Sequence, residues 1–225
     1  MIPPPYNQPL YPITHAAHYL HIPTPTLRLW LAGRTSPQPI SPLIQRPHPQ
    51  DPRLSFLNLI EAHILRIIRE THRIKVDKIR RALDYLSYSL ETPHPLAQQQ
   101  FKTDGVDLFV EEVDRLINVS RSGQLALREA FTHLLDRVEW NEAGIAIRLF
   151  PLLSGLQQPP TDRLIVLDPN IRCGQPILTG TGVPTAIIAD LYNAGDSIED
   201  LAEDYNCTPI QIKTAIQFEY RQNAA

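Results

Sequence analysis

The chain has 225 residues, of which 43% are hydrophobic, and a formal net charge of −3. No apolar run approaches the roughly 18 residues that span a bilayer, and the proline-rich start lacks the basic and apolar regions of a signal peptide. We therefore expect a folded cytoplasmic protein that does not contact a membrane. The two cysteines, Cys173 and Cys207, lack the spacing of a disulfide framework or a zinc site, so the sequence predicts no metal and no cofactor.

Charge is distributed unevenly along the chain. Residues 1–102 carry 12 Lys and Arg against 6 Asp and Glu, whereas residues 103–225 carry 9 against 18. A basic front and an acidic back favour two different partners, of which one is a polyanion.

Segments rich in proline and glutamine separate three predicted units, which span 1–90, 100–154 and 162–225. We expect a mainly α fold with small β elements (α+β). The front unit would be a winged helix-turn-helix, and the central unit a small β-containing linker or dimer surface. The back unit would be a β-hairpin followed by a three-helix bundle.

The front unit begins with two short predicted helices joined by a tight turn. Thr14 is placed to cap the first helix, which stops before Pro23. Thr24 then caps a second helix, which ends at Gly33 and has Pro25 at its first position, where a missing N–H costs nothing. This is the helix-turn-helix pattern, whose second helix can enter the major groove of DNA.

The outer side of the second helix supplies the candidates for reading DNA. At about 100° per residue, the apolar arc that we expect to face the first helix comprises Leu27, Trp30 and Leu31. Arg28 and Leu29 then point outward, where Arg28 suits a phosphate or a guanine edge and Leu29 a thymine methyl group. The alternatives are a solvated Arg28 and a Leu29 that packs on the following loop.

The proline-rich stretch after Gly33 is predicted to form a wing. Two short extended pieces, Leu43–Gln45 and Arg53–Ser55, flank a turn, and arginines along the stretch are placed to touch phosphates. The full set of predicted DNA-binding residues is Thr24, Thr26, Arg28, Leu29, Arg34, Arg46 and Arg53.

Two longer helices are predicted after the wing, over 56–70 and 75–90. The second has apolar residues at a coiled-coil spacing, namely Val76, Ile79, Leu83, Leu86 and Leu90. Because this seam is only about two heptads long, we expect it to pack on the preceding helix, with a dimer zipper as the alternative.

The stretch PITHAAHYLHIPTPTLRLW, followed by LSFLNLIEAHILRIIR and VDKIRRAL, resembles the N-terminal winged-helix domain of MerR-type regulators. Thr26, Leu27 and Arg28 match the start of that family's recognition helix, and Trp30 stands at its aromatic position. The resemblance implies DNA binding. It does not imply metal or drug sensing, because the long antiparallel coiled coil and a cysteine-bearing effector pocket are lacking.

The central unit is predicted to mix strands with one helix. The strands lie around Leu108–Val110 and Leu116–Val119 and within 144–153 and 163–168, and the helix runs from about Gln124 to Val138.

Three residues of the central unit, Ser120, His133 and Asp136, have the types found in a hydrolase triad. However, no Gly-x-Ser-x-Gly elbow accompanies them, and His133 lies in the middle of the predicted helix. We therefore expect no catalytic residue and no enzyme activity.

The acidic back is predicted to contain three capped helices. Gly195 ends the first, Ser197 caps the second, and Thr208 caps the third with Gln211 completing a capping box. The arrangement is similar to a helix-turn-helix. Because residues 185–225 hold seven acids against two bases, this face repels DNA, and we assign it to a protein partner.

The stretch GQPILTGTGVP, from Gly174 to Pro184, has the glycine content of a phosphate loop or of a tight turn. It lacks the third glycine of a dinucleotide fingerprint and the Gly-Lys-Ser/Thr of a P-loop. We therefore predict a hairpin that turns through Gly180-Thr181-Gly182, with the glycines supplying positive φ. Whether it contacts a partner or is a plain turn stays open.

The segment from LDPNIRC to AIQFE resembles the domain-of-unknown-function family 433. The residues that fit its pattern are Gly174, Pro176, Gly180, Thr181, Pro184, Gly195, Ser197, Ala202, Tyr205 and Ala215. Gly182 replaces the family's usual arginine. Such proteins resemble antitoxins of the VapB type, which pair with PIN-domain-like ribonuclease toxins.

Together the two resemblances imply an antitoxin of a type II toxin-antitoxin pair. It would form a homodimer, repress its own operon by binding double-stranded operator DNA, and neutralise a PIN-like ribonuclease toxin. The predicted toxin-binding residues are Gly180, Thr181, Gly182, Tyr192, Glu199, Asp200, Glu203, Asp204 and Tyr205. The alternative is a MerR-like transcriptional regulator without a toxin partner.

Overall fold

The structure is a computed structural model that describes residues 5–33, 42–48, 50–72, 76–153 and 163–220. Its helices are α1 (Ile13–Leu20), α2 (Thr24–Leu31), α3 (Phe56–His72), α4 (Val76–Ser89), α5 (Val106–Ile117), α6 (Arg121–Leu135), α7 (Thr185–Ala194), α8 (Ile198–Asp204) and α9 (Pro209–Tyr220). Its strands are β1 (Val138–Trp140), β2 (Ala146–Leu149), β3 (Ile165–Val166) and β4 (Ile177–Leu178). The fold is mainly α with small β elements, as expected.

The strands form two antiparallel pairs. β1 pairs with β2 so that Val138 faces Leu149, and β3 pairs with β4 so that Ile165 faces Leu178. A bridge between Leu149 and Leu167 joins the two pairs, with N–H···O distances of 3.0 and 2.8 Å. The sheets therefore link the central part of the chain to the start of the back.

The largest apolar cluster of the described chain runs from Tyr11 to Phe218. Helix α3 lies at its centre, since every side chain from Phe56 to Arg66 is buried. Arg66 also donates from Nη1 to the carbonyl of Leu20 at 2.6 Å, which satisfies a backbone acceptor at the end of α1. Residues of the predicted front, central and back units thus share one core.

The front helices lie close to their predicted positions. α1 begins at Ile13 after Pro12, so Thr14 lies in the first turn and does not cap the helix. α2 begins at Thr24 with Pro23 at the N-cap position, so the prediction that Thr24 caps this helix is wrong, and neither helix has a side-chain cap hydrogen bond. Each proline instead fixes an extended backbone just before a helix, which ends the preceding turn sharply.

The predicted wing is wrong for the residues that the structure describes. Leu43–Gln45 and Arg53–Ser55 do not pair with each other. The N–H groups of Leu43 and Ile44 donate to the carbonyl of Trp30, and Leu54 pairs with Tyr11. Prolines in this stretch have no N–H group to donate to a strand ladder. One piece is therefore held by Trp30 of α2 and the other by Tyr11, just before α1.

The two strands predicted at Leu108–Val110 and Leu116–Val119 are also wrong, because both lie within α5 or at its end. Phe109, Val110 and Val113 are buried at helical spacing. The aromatic and β-branched residues favoured a strand, but packing of α5 between α4 and α6 determines the helix.

Helix α4 buries its apolar seam. Ile79, Leu83 and Leu86 are inside, and the helix packs mainly against α5. The expectation that α4 packs chiefly on α3 is therefore wrong for the described residues, and the buried seam is not available as a dimer zipper.

The three helices of the back match their predictions. Gly195 ends α7 with φ 115°, and Ser197 Oγ accepts the Asp200 N–H at 3.1 Å to cap α8. Thr208 and Gln211 form a reciprocal capping box at 2.9 and 3.3 Å at the start of α9. Within the described ranges, no helix is long and apolar enough to cross a membrane.

Candidate functional site

The outer surface of α2 has the predicted geometry. Leu27 and Trp30 are fully buried, whereas Arg28 is exposed and the Leu29 side chain is 57% exposed. Thr24 and Thr26 are half-buried at the start of the helix. An exposed cation beside an uncovered apolar side chain suits a DNA groove, but a role in DNA binding stays a prediction.

The arginines of the predicted wing are held in different ways. Arg46 donates from Nη1 to the Asp51 carbonyl at 2.8 Å, and Arg53 forms a two-point ion pair with the Asp51 carboxylate at 2.8 and 3.1 Å. Hydrogen bonds from Arg53 lower the pKa of Asp51 to about 2. Arg34 lies outside the described residues.

The glycine-rich stretch forms the predicted tight turn. The Leu178 N–H donates to the Val183 carbonyl at 2.8 Å, and the Thr181 hydroxyl donates back to the Leu178 carbonyl at 2.9 Å. Gly180 and Gly182 have φ of 83° and 72°, and a Cβ at either would meet nothing within 4 Å. Backbone conformation, not space, therefore favours glycine at both positions.

The acidic residues of α8 share one exposed face. Glu199, Asp200, Glu203 and Asp204 are all exposed, while Leu201 and Ala202 are buried on the opposite side. Asp200 also accepts a hydrogen bond from the Ser197 hydroxyl at 2.7 Å. The carboxylates of Glu199, Glu203 and Asp204 therefore take no part in the cap of α8.

The apolar residues around this face differ from those expected. Tyr192 is 40% exposed, but Tyr205 is half-buried against the core. The sequence interpretation missed Ile187 and Ile210, which are 44% and 59% exposed. The exposure of Ile187 could have been predicted, because Ile187 does not share the helical spacing of the buried residues of α7, which include its neighbour Ile188.

A cavity of about 450 Å³ lies beside the glycine turn. Its apolar lining includes Phe150, Val166 and Ile177, and Glu139 and Arg148 stand at its polar side. Arg148 is held by Asp168 at 2.8 Å and by Glu139 at 3.2 Å. The hydrogen bonds that Arg148 donates to these carboxylates, to Asp168 first, raise the pKa of Arg148.

Ser120, His133 and Asp136, the three residues of the types found in a hydrolase triad, occupy separate positions with different contacts. Ser120 Oγ accepts the Gly123 N–H at 3.2 Å as the cap of α6. His133 is exposed in the last turn of α6, and Asp136 pairs with Lys102 at 2.8 Å. Among the described residues, no group of three or more His, Cys, Asp or Glu is arranged to hold a metal ion.

The front and the back are in direct contact. His18 Nε2 in α1 lies 2.7 Å from Glu219 Oε2 in α9, and the rings of His21 and Phe218 are 5.1 Å apart. Burial works to raise the pKa of Glu219, but hydrogen bonds from His18 and Thr185 outweigh it and hold that pKa below its usual value. The surface of α1 and α2 and the acidic surface of α8 therefore belong to one packed body.

Comparison with known proteins agrees with this architecture along nearly the whole chain. Residues 165–218 match the family described as "Protein of unknown function (DUF433)". The protein named "Putative antitoxin VapB45" from Mycobacterium tuberculosis is 31% identical over 94% of this chain and 94% of its own length. This chain belongs to the VapB45 family.

A further protein and a solved structure from the same organism are also similar to this VapB45-family chain. "Uncharacterized protein Rv2308" is 25% identical over 94% of this chain and 90% of its own length. The crystal structure of Rv2018 has a TM-score of 0.73 and 30% identity, covering 94% of this chain and 99% of that chain. The prediction of an antitoxin-like protein is thus confirmed at the level of the family.

Proposed function

We propose that this VapB45-family chain is the antitoxin of a type II toxin-antitoxin pair. It would neutralise a PIN-like ribonuclease with its back surface and repress its own operon through its front surface. The observation that carries the proposal is the exposed acidic face of α8 with Ile187, Tyr192 and Ile210 uncovered on the same bundle.

The chemistry of a PIN-like nuclease fits this back surface. Such an enzyme holds Mg²⁺ with clustered carboxylates, and its RNA entry groove needs cationic side chains to guide phosphates. The carboxylates of Glu199, Glu203 and Asp204 would occupy that groove as a mimic of the substrate's charge. The uncovered Ile187 and Ile210 would supply most of the affinity, because exposed charges mainly steer association.

The front surface suits operator DNA. Arg28 and Leu29 project from α2, the second helix of the proposed helix-turn-helix, and Arg46, which donates to the Asp51 carbonyl, would add a phosphate contact. Dimeric binding of two half-sites is the usual geometry for this motif, so we propose that the antitoxin acts as a homodimer.

The alternative is a MerR-like regulator without a toxin partner. The cavity of about 450 Å³ beside the glycine turn favours this alternative, because its size and mostly apolar lining suit a small ligand.

Co-expression of the full chain with the PIN-like nuclease from the neighbouring reading frame tests the proposal. We expect the chain to restore growth and to co-purify with the nuclease. Replacing Ile210 by Asp should abolish both effects, while Leu125→Asp should retain them, since Leu125 is equally exposed (60%) but lies in α6. Rescue that survives Ile210→Asp but fails with Leu125→Asp would place the toxin on the central part of the molecule.

A further inference from the structure

The outward face of α4 carries a row of uncovered polar and aromatic side chains. Asp77, Arg81, Asp84, Tyr85 and Tyr88 lie within about 100° of arc on the helix, and we call them the α4 stripe. The structure leaves 85% of Tyr88 and 36% of Tyr85 exposed. A tyrosine as open as Tyr88 leaves a large amphipathic ring uncovered.

The charged residues of the α4 stripe are not used in ion pairs inside the described chain, although Asp77 lies in the first turn of α4, where a negative charge favours the helix. Arg81, Asp77 and Asp84 are exposed, and none of them forms an ion pair among the described residues. The apolar seam of α4 lies on the opposite side and packs against α5. Arg81 and Asp84 therefore have no ion-pair partner within the described protomer, and the two tyrosine rings remain open to a partner.

The α4 stripe is complementary to the α4 stripe of a second copy that runs in the opposite direction. When two copies of a helix run antiparallel across a two-fold axis, positions whose numbers have a constant sum face each other. With the axis between residues 82 and 83, Arg81 faces Asp84 of the partner subunit, and Asp77 faces Tyr88 of the partner subunit. Each contact occurs twice, and each joins a donor to a carboxylate.

We propose that a second copy of this chain covers the α4 stripe, in an antiparallel α4 pair with Arg81 opposite the partner's Asp84. This inference deepens the proposed homodimer of the preceding section and supplies its surface. DNA is a poor occupant, because Asp77 and Asp84 would repel phosphates. A basic rim of a nuclease fits poorly as well, because Arg81 lies in the middle of the stripe.

Charge reversal tests the pairing with the full chain alone, without toxin or DNA. In the dimer, Arg81→Asp would set two like-charged pairs face to face and weaken dimerisation by at least about tenfold. Asp84→Arg should have a similar effect. The double variant R81D/D84R should restore the wild-type dimer, because each pair is then merely reversed. Arg121→Asp, at another exposed arginine, is the matched control.

Cross-linking tests the register. Residues 77 and 88 lie about 16 Å apart along one helix, too far for a disulfide within one chain. With Cys173 replaced by Ser, the double variant Asp77→Cys/Tyr88→Cys should oxidise to a covalent dimer. Either single variant should not, because across the proposed axis each residue is about 16 Å from its own copy.

Analytical ultracentrifugation measures the oligomeric state of the charge-reversal variants, and non-reducing gels detect the disulfide-linked dimer. A chain that is monomeric at micromolar concentration, or a dimer that R81D leaves intact, would overturn the α4 pair. Because the measurement uses neither toxin nor DNA, a failed α4 pair leaves the proposed antitoxin function to its own test.

Discussion

The imidazole of His18 and the carboxylate of Glu219 join the first and last helices of the structure across a distance of 2.7 Å. Both side chains are largely buried, at 17% and 16% exposure. Glu219 also accepts a hydrogen bond from the Thr185 hydroxyl in α7. One carboxylate thus holds together α1 of the front and two helices of the back.

Replacing Glu219 by Gln should destabilise the protein at neutral pH by about 1–3 kcal/mol, because a buried charge-assisted hydrogen bond is lost. The pKa of Glu219 lies below its ordinary value near 4.5 in the folded protein. Its contribution is therefore fully present above that value and is lost as pH falls through the folded pKa. Denaturant titrations of both proteins between pH 3 and about pH 7 measure this difference.

The control for this prediction is Glu142→Gln, since Glu142 is exposed in the loop between β1 and β2. It should change stability little at any pH. A difference between wild type and Glu219→Gln that grows on acidification would contradict the assignment of Glu219 as a stabilising anion.

Tyr11 and Gly174 form a second contact between front and back. A Cβ on Gly174 would overlap the Tyr11 hydroxyl oxygen, and the φ of Gly174 is 73°. Gly174→Ala should therefore cost about 2–5 kcal/mol through crowding and backbone strain. Gly182 has nearly the same φ, 72°, but an added Cβ would meet nothing within 4 Å. Gly182→Ala should therefore cost only the backbone strain, about 1–2 kcal/mol.

The Tyr11 hydroxyl itself is buried without a hydrogen-bond partner among the described residues. Burial, then the charges of Tyr19 and Asp168, raise its pKa. Tyr11→Phe should thus leave stability unchanged or raise it by up to about 1 kcal/mol. In that background Gly174→Ala should cost less than in wild type, which a double-mutant cycle in urea measures. Equal costs in both backgrounds would show that the Tyr11 hydroxyl is not the group that an added Cβ at Gly174 crowds.

Local features of this fold could be predicted from the sequence, because they depend on neighbouring residues. The buried and exposed faces of α2 follow from the helical spacing of Leu27 and Trp30. The caps at Ser197 and Thr208 follow from hydroxyl groups that accept backbone N–H groups of the helix that begins there. The turn at Gly180 follows from the freedom of glycine at positive φ.

Features that depend on distant residues could not be predicted in the same way. His18 and Glu219 are 201 positions apart, and no local pattern links them. Helix α5 was predicted as strands because Phe109 and Val110 suit either structure, and only the neighbouring helices decide between them. The exposure of Ile210 depends likewise on how α9 packs on α7.

Arg28→Ala should weaken operator binding by about 1–3 kcal/mol and relax specificity, if Arg28 reads a base edge as proposed. Arg46→Ala should weaken binding to all sequences alike and reduce the salt slope by about one. Fluorescence anisotropy with operator and scrambled duplexes at several salt concentrations separates the two effects. Arg121→Ala, on α6, serves as the control. Unchanged binding curves for both Arg28→Ala and Arg46→Ala would show that α2 and the loop after it do not bind the operator.

The acidic face of α8 should act on the rate of toxin association more than on the lifetime of the complex. Replacing Glu199 and Glu203 by Lys should slow association about tenfold at low salt, because the face would then repel a basic groove. The difference should shrink at high salt, where the charges are screened.

The apolar residues beside that face should behave in the opposite way. Ile210→Ala should speed dissociation about tenfold at every salt concentration, because a truncated anchor leaves less apolar area buried. Glu129→Lys, an exposed acid on α6, is the charge control and should alter neither rate. Surface plasmon resonance with immobilised toxin gives both rates. If the Lys variants changed only dissociation and Ile210→Ala only association, steering by α8 and anchoring by Ile210 would both be wrong.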